Sequence, residues 1–177
     1  MQAFERVVLS MDSGKRMEAS FRKCAMKVPG VYYKRMNDGT ASYYGGQAQA
    51  GIRFQKSNDY DAIMHHAPIL YLLEFKSHLG AALPFSKIRQ NQLEALNNAS
   101  RAFQMVAAGF VIHFVDKDEC WFVRGDRVFD FVEASERKSI PIAWCQENGL
   151  LIRTRKLKTN YDYDVLGFIN EVEKQWL

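Results

Sequence analysis

The sequence predicts an α/β protein in which a mixed β-sheet is flanked by helices. Along the 177 residues, helical and strand-like patterns follow in the order helix, strands, helix, strands, helix. The run from residue 69 to residue 75 is apolar on both faces, which is typical of a strand inside a covered sheet. A composition of 47% hydrophobic and 25% charged residues is that of a globular protein. We therefore expect one domain over residues 1–177.

Composition also limits the setting in which the protein works. Residues 1–6 lack the basic start and apolar middle of a signal peptide, and no apolar run approaches the roughly 20 residues of a membrane helix. Cys24, Cys120 and Cys145 are far apart and have no paired metal-ligand spacing, so we expect buried or neutral thiols in a reducing cytoplasm, with no membrane partner. The net charge of +4 permits a polyanionic partner without requiring one.

Local patterns define the elements one by one. Asp12 or Ser13 is a candidate cap for a first helix that runs to about Val28. The segment from Asn37 to Gln55 has neither helical nor strand periodicity, so it is predicted to be a long loop. Further helices are expected at about 88–105, 126–134 and 164–177, and strands at 31–35, 109–115, 120–123 and 150–152.

The central feature is a pair of predicted strands, 59–66 and 69–76, on either side of Ala67-Pro68. In an antiparallel hairpin folded at that dipeptide, Asp61 lies opposite Glu74 and Asp59 lies opposite Lys76. A looser loop from His66 to Ile69 gives the same register. Because side chains alternate along a strand, these four charged residues share one side of the hairpin's open end.

Directly opposed carboxylates repel each other, and a divalent cation between them removes that penalty. The spacing therefore predicts a metal site at Asp61 and Glu74, with Asp59 as the alternate ligand. The competing interpretation is an ordinary edge hairpin with solvated acids. Glu18 lies on the flank of the apolar face of the first helix, from which it could reach the same site, although a solvated surface glutamate is the simpler interpretation.

Aromatic and basic residues around the long loop indicate a nucleic-acid partner, because tyrosines stack on unpaired bases and cations contact phosphates. The candidates are Tyr43, Tyr44, Lys34, Arg35, Arg53 and Lys56. A surface loop without such a role is the alternative. A second basic run, at residues 153–158, is either a phosphate-contacting patch or a solvated charge cluster. His113 is expected to be a satisfied core histidine.

An aspartate followed by Glu-x-Lys at the end of the next strand, with a glutamate on the preceding helix, resembles the PD-(D/E)xK nuclease superfamily. More of the chain, loosely from Gly14 to Pro141, is similar to RecU-type Holliday junction resolvases. The similar stretches are Gly14–Glu18 with Phe21, Asp59–Asp61 with Leu73–Lys76, Leu83–Ile88 with Asn91–Leu93, and Arg137–Ile140. The similarity is weak after about Gly149.

This resemblance implies a restriction-endonuclease-like fold and a homodimer that cuts four-way DNA junctions with magnesium, or with manganese. The catalytic residues that it implies are Glu18, Asp61, Glu74, Lys76 and Gln92, of which Glu18, Asp61 and Glu74 would hold the metal. Lys76 would orient or help to deprotonate the attacking water. Further DNA-binding candidates are Lys15, Arg16, Lys87 and Arg89. Residues 38–54 correspond to the stalk that such enzymes project toward the junction centre.

Three other functions remain open at this point. A nuclease of the same fold could act on DNA ends, flaps or ordinary duplex. A junction-binding protein of the same fold could lack catalysis, although it would have no need for opposed acids. The third alternative is an α/β scaffold protein with an accidental resemblance.

Overall fold

The computed structural model describes residues 2–36 and 58–176, with side chains from residue 14 onward. Its helices are α1 (Gln2–Ala25), α2 (Gln90–Ala102), α3 (Gly125–Ala134), α4 (Ile142–Asn148) and α5 (Val165–Trp176). Its strands are β1 (Tyr32–Arg35), β2 (Ala62–His66), β3 (Ile69–His78), β4 (Ala82–Pro84), β5 (Val106–Phe114), β6 (Glu119–Arg124), β7 (Ser139–Pro141), β8 (Leu150–Ile152), β9 (Thr154–Lys156) and β10 (Tyr161–Tyr163). Across the described ranges, no helix is both long enough and apolar enough to cross a bilayer.

Among the described residues, six strands form the central sheet in the order β1-β2-β3-β5-β6-β8. The β3 and β5 strands are parallel, whereas the other neighbouring pairs are antiparallel, so the sheet is mixed. The β3 strand has a neighbour on each side, which explains why its sequence is apolar on both faces. This arrangement confirms the predicted mixed sheet and excludes the edge-hairpin interpretation for β3.

Helices cover both faces of the sheet. On one face, α1 and α5 pack through aromatic contacts, with the ring of Phe21 5.0 Å from that of Phe75 and the ring of Phe122 5.1 Å from that of Phe168. On the other face, α2, α3 and α4 enclose a second apolar cluster around Leu96. Because neighbouring residues alternate, Phe75 points into the first cluster while Glu74 points toward the α2 face.

The hairpin register is the one that the sequence predicts. Ala62 pairs with Leu73 and His66 pairs with Ile69. A two-residue turn at Ala67-Pro68 joins the strands, and the peptide bond between these residues is cis. A cis proline is the form that occupies the second central position of a tight turn. Strand β2 begins at Ala62 rather than at the predicted residue 59, so Asp61 lies just before the last pair of the ladder, and its backbone N–H donates to Leu73 O.

Several element boundaries differ from the prediction. Helix α1 begins at Gln2 rather than at Asp12 or Ser13, since no proline or glycine interrupts residues 2–13. It ends at Ala25 rather than Val28, and Val28 precedes a proline, a position that disfavours helical backbone. Helix α2 is shorter than 88–105, because the chain must be extended at Val106 to pair with Leu70.

Some elements were not predicted at all. The pairs β4–β7 and β9–β10 form two small sheets outside the central one, and α4 follows β7 directly. The predicted loop 37–55, the stalk at 38–54 and the candidates Tyr43, Tyr44, Arg53 and Lys56 lie outside the described residues. All three cysteines are free and buried, as expected. The single domain over 1–177 stays a prediction.

Candidate active site

The open end of the β2–β3 hairpin, together with the start of α2, forms a polar site next to the apolar core. Glu74 is buried to 2% exposure on β3, and Lys76 lies two residues further along the same face. Gln92, in the first turn of α2, is also buried and faces both of them. The site thus forms where a strand and a helix from separate parts of the sequence meet.

Hydrogen bonds hold these three side chains in one arrangement. Lys76 Nζ donates to Glu74 Oε1 at 2.8 Å and to Gln92 Oε1 at 3.0 Å. Gln92 Nε2 donates to the same Glu74 oxygen at 2.7 Å. Gln92 Oε1 also accepts from the backbone N–H of Arg89 at 3.3 Å, which ties it to the start of α2. Each side chain is therefore fixed by at least two contacts.

Glu74 has an unusual electrostatic environment. Its Oε2 atom is buried and has no hydrogen-bond partner among the described residues. Burial is the main cause that raises the pKa of Glu74 to about 8, and Asp61 raises the pKa further while Lys76 lowers it. A buried carboxylate with an unsatisfied oxygen is stabilised by a cation that can coordinate that oxygen.

Asp61 is positioned by the strand that it faces. Its Oδ2 accepts the backbone N–H of Phe75 at 2.8 Å, and its own backbone N–H donates to Leu73 O at 3.0 Å. These bonds fix the Asp61 carboxylate beside Glu74, and the two carboxylates interact closely enough for Asp61 to raise the pKa of Glu74. The two predicted ligands are thus brought together.

Asp59 has a different role in the structure. It lies before β2, and its Oδ1 accepts a hydrogen bond from Asn91 Nδ2 at 3.1 Å. Asn91 Nδ2 also lies 3.2 Å from the backbone oxygen of Asn58. Asn91 thus connects the chain entering β2 to the start of α2, on which Gln92 is the next residue. Asp59, the alternate metal ligand, is therefore hydrogen-bonded to Asn91 in this structure.

Glu18 lies on α1 and forms an ion pair with Arg35 of β1, whose Nε is 2.9 Å from Glu18 Oε2. Burial, followed by the charges of Glu18 and Asp61, raises the pKa of Tyr33 above its usual range. Both carboxylates therefore lie near the Tyr33 phenol. Glu18 flanks the site, and Arg35 is a predicted DNA contact that the structure pairs with it.

A magnesium ion fits the chemistry of these donors. Magnesium prefers carboxylate oxygens and is usually bound by one or two carboxylates together with water and substrate phosphate oxygens. Asp61 and the unsatisfied Oε2 of Glu74 supply such a pair. Within residues 14–36 and 58–176, no group of three or more His, Cys, Asp or Glu side chains is arranged to hold a metal ion. Glu18 therefore does not complete a three-carboxylate cluster in this structure.

The remaining predicted DNA contacts within the described residues lie around this end of the sheet or on α1. Lys15 and Arg16 are exposed on α1, and Lys34 is exposed on the edge strand β1. Lys87 Nζ lies 3.1 Å from His78 Nδ1, and Arg89 is the exposed residue that precedes α2. A groove of about 600 Å³ between β8 and α5 contains none of the site residues.

His78 is a neighbour of the site that the sequence analysis missed. Strand β3 continues to residue 78, so the alternation that joins Glu74 to Lys76 also brings His78 to their face. Burial, followed by the nearby charge of Lys87, lowers the pKa of His78. Strand alternation carried two residues further would have found it.

Comparison with known proteins decides the family. A model of the family described as Recombination protein U matches residues 26–169, which is most of the chain. The chain belongs to the Recombination protein U family. Membership confirms the Holliday junction resolvase function that the sequence predicts, and it implies a nuclease that binds branched DNA. The matched range includes Asp61, Glu74, Lys76 and Gln92 but not Glu18.

Two individual proteins are similar to this chain. The chain is 26% identical over 179 residues to the SPbeta prophage-derived uncharacterized protein YotM of Bacillus subtilis, covering 93% of this chain and 88% of that protein. The structure of Hjc, a Holliday junction resolvase from Archaeoglobus fulgidus, is similar with a TM-score of 0.51 at 17% identity, over 78% of this chain and 95% of that one. The latter match confirms the restriction-endonuclease-like fold.

Proposed function

We propose that this Recombination protein U family member resolves four-way junctions by metal-dependent hydrolysis of DNA phosphodiesters at the hairpin site. The observation that carries the proposal is the buried Glu74, which has one oxygen bonded by Lys76 and Gln92 and the other unsatisfied beside Asp61. A salt bridge between Glu74 and Lys76 would not need Asp61 beside it, because two neighbouring carboxylates repel each other. A site that binds a divalent cation uses both carboxylates as ligands.

Asp61 and Glu74 would hold magnesium, or manganese in its place, and Glu18, which pairs with Arg35, is the third proposed ligand. When bound, the metal would supply positive charge that neutralises a phosphate and makes a nearby water more acidic. Glu74 Oε1 already accepts two hydrogen bonds, so Oε2 is the oxygen that would be available to a cation. The backbone N–H of Phe75 keeps Asp61 in place.

Lys76 would position the attacking water. An ammonium has three donors, and two of them are directed to Glu74 and Gln92, which leaves one for a water or a phosphate oxygen. In the hydrolysis, the water oxygen forms a bond to phosphorus, the bond to the leaving oxygen breaks, and a proton passes from water to a base. A neutral Lys76 amine would be such a base, and the charged form would orient the water.

Gln92 is proposed to be a positioning residue. It accepts from Lys76 and donates to Glu74, so it fixes the distance between the amine and the carboxylate. A homodimer would present two such sites, and paired nicks in strands of like polarity would resolve the junction. A single nuclease domain over residues 1–177 belongs to the same proposal.

The test compares cleavage of a labelled four-way junction and a matched linear duplex, with Mg²⁺, Mn²⁺ or EDTA. The variants are Asp61→Asn and, as the matched control, Asp59→Asn. We expect symmetric nicks near the crossover that require the metal and are lost in Asp61→Asn. They should persist in Asp59→Asn, because the amide oxygen of the substituted side chain can still accept from Asn91.

Each other outcome has a distinct meaning. Equal cutting of the linear duplex would replace junction resolution by a more general nuclease activity. Tight junction binding without cutting under either metal would contradict the enzyme mechanism. Loss of cutting in Asp59→Asn alone would move the metal ligand from Asp61 to Asp59.

A further inference from the structure

The β9–β10 hairpin and helix α1 form a joint surface on the sheet face opposite to Glu74. Cys24 Sγ donates to Asp162 Oδ1 at 3.2 Å, and the backbone N–H of Tyr163 donates to Cys24 Sγ at 3.4 Å. Tyr163 packs against Phe21 at a ring distance of 5.7 Å. The hairpin is therefore fixed along the side of α1 rather than projecting freely.

Helix α1 carries a row of exposed cations next to this contact. Arg16 and Lys23 are seven residues apart, which puts them on the same side of the helix, and Lys27 follows in the turn after it. All three are exposed, whereas Met17, Phe21 and Cys24 point into the core. Glu18, two residues after Arg16, lies on a different side of the helix, where it pairs with Arg35.

The hairpin adds two more cations to this side. Arg155 is paired in register with Asp162, and its Nη2 lies 2.9 Å from Asp162 Oδ2. A hydrogen bond from Cys24, the bond from Arg155 and the charge of Lys27 hold the pKa of Asp162 below its usual range. Leu157 N donates to Asn160 O at 2.8 Å, so exposed Lys158 lies at the hairpin tip.

The tip lies at the same end of the sheet as the proposed active site. Thr159 and Asn160 line a cavity of about 130 Å³ together with Arg16 and Ser77. Ser77 directly follows Lys76 on β3 but points to the opposite face. We call Arg16, Lys23, Lys27, Arg155 and Lys158 the basic surface; the hairpin's one carboxylate on this side, Asp162, is already bonded to Cys24 and Arg155.

We propose that the basic surface binds the phosphate backbone of a duplex arm of the junction, away from the scissile phosphate. These five cations come from two distant parts of the sequence and lie along one side of α1 and the β9–β10 hairpin, and such a row of positive charge attracts an anionic polymer such as a DNA backbone. The family match begins at residue 26, so Arg16 and Lys23 lie outside the range shared with the family. This inference rests on the proposed junction-resolving function and adds where an arm is held.

The test uses two double variants that remove equal charge. Lys27→Gln/Lys158→Gln removes two members of the basic surface. Lys156→Gln/Lys174→Gln is the control. The strand register puts Lys156 on the other side of the β9–β10 hairpin, next to Tyr161. Lys174 lies on α5, where it forms an ion pair with Glu171. Junction affinity is measured by fluorescence anisotropy over a series of NaCl concentrations in EDTA, and single-turnover cleavage is measured with Mg²⁺ at saturating protein.

Each phosphate contact contributes about 0.9 to the slope of log affinity against log salt concentration, so the first variant should lose about 1.8 of slope and bind about tenfold or more weakly. The cleavage rate of this variant at saturating protein should equal that of wild type, because neither Lys27 nor Lys158 contacts the proposed active site on the β2–β3 hairpin. The control should keep the wild-type slope. On a junction with its arms cut back near the crossover, both variants should bind like wild type.

An unchanged slope in Lys27→Gln/Lys158→Gln, or an equal loss in the control, would overturn the arm-binding proposal while leaving the cleavage function intact. A wild-type protein that binds with this salt dependence but does not cut would contradict the proposed catalysis and keep the arm-binding surface. A wild-type protein that binds no branched DNA would contradict both.

Discussion

Replacing Glu74 by glutamine should stabilise the metal-free protein at neutral and alkaline pH while it abolishes cleavage. The pKa of Glu74 is about 8 in the folded protein and about 4.5 ordinarily, mainly because of burial. Between these values the folded state binds more protons than the unfolded state, so the free energy of unfolding falls as pH rises from 4.5 to 8. At about 1.36 kcal/mol per pKa unit, the full loss is on the order of 5 kcal/mol.

A glutamine at this position does not titrate. Its oxygen can still accept from Lys76 and Gln92, and its amide can donate toward Asp61 from the position of the unsatisfied oxygen. The stability difference between Glu74→Gln and wild type should therefore be near zero below pH 4.5, should increase with pH, and should level off above pH 8. Denaturant unfolding in EDTA, at a series of pH values, measures this difference.

Glu94→Gln is the matched control, because Glu94 is exposed on α2 and accepts a hydrogen bond from Gln90, away from Glu74. It should follow the wild-type curve and retain cleavage. Added Mg²⁺ should stabilise wild type and Glu94→Gln but not Glu74→Gln, because binding to the folded state raises the free energy of unfolding. A stability difference between Glu74→Gln and wild type that is independent of pH, or that favours wild type at pH 8, would refute the reasoning.

Two further predictions test the packing on either side of the sheet. Burial lowers the pKa of His113 from 6.5 to about 4, so the unfolded state binds this proton at a higher pH than the folded state does. Between pH 6.5 and pH 4, wild type should therefore lose about 3 kcal/mol of unfolding free energy relative to His113→Gln. Urea unfolding of the two proteins measures this loss, and an equal pH dependence for both would contradict the prediction. A Cβ at Gly125 would lie 2.5 Å from the backbone of Leu96, so Gly125→Ala should lower the midpoint of thermal unfolding followed by circular dichroism, at a cost of about 1–3 kcal/mol or more. Gly14→Ala is the control, because nothing lies within 4 Å of a Cβ at Gly14 and α1 should gain about 0.5–1 kcal/mol of stability. Equal unfolding midpoints for the two variants would show that α2 and α3 pack differently from this structure.

Strand alternation was the most informative pattern in the sequence. It predicted the register of the β2–β3 hairpin, which the pairing of Ala62 with Leu73 confirms, and it brought Asp61, Glu74 and Lys76 to the same end of that hairpin. The reason is physical: a shift of one residue would move every apolar side chain of β2 and β3 to the wrong face. Because both faces of β3 are covered, this register is strongly specified.

Contacts between distant segments could not be predicted in the same way. Nothing local to Gln92 indicates that it bonds Glu74 and Lys76, although its place near the start of α2 was recognised. His113 was expected to be satisfied, but only its Nδ1 is bonded, to Tyr163, while its Nε2 has no partner among the described residues. The partners of Gln92 and of His113 both depend on which helix or strand from another part of the chain packs against that side chain.

The sequence by itself determined the mixed α/β fold, the hairpin register and the charged residues that share its open end, because these follow from side-chain periodicity over a few neighbouring residues. Only the tertiary structure decided that Glu74 is buried with an unsatisfied oxygen, that Asp59 is bonded to Asn91, and that the basic run at 153–158 lies beside α1. Burial and charge proximity are set by segments far apart in the chain. Their energies depend on distances that no local pattern records.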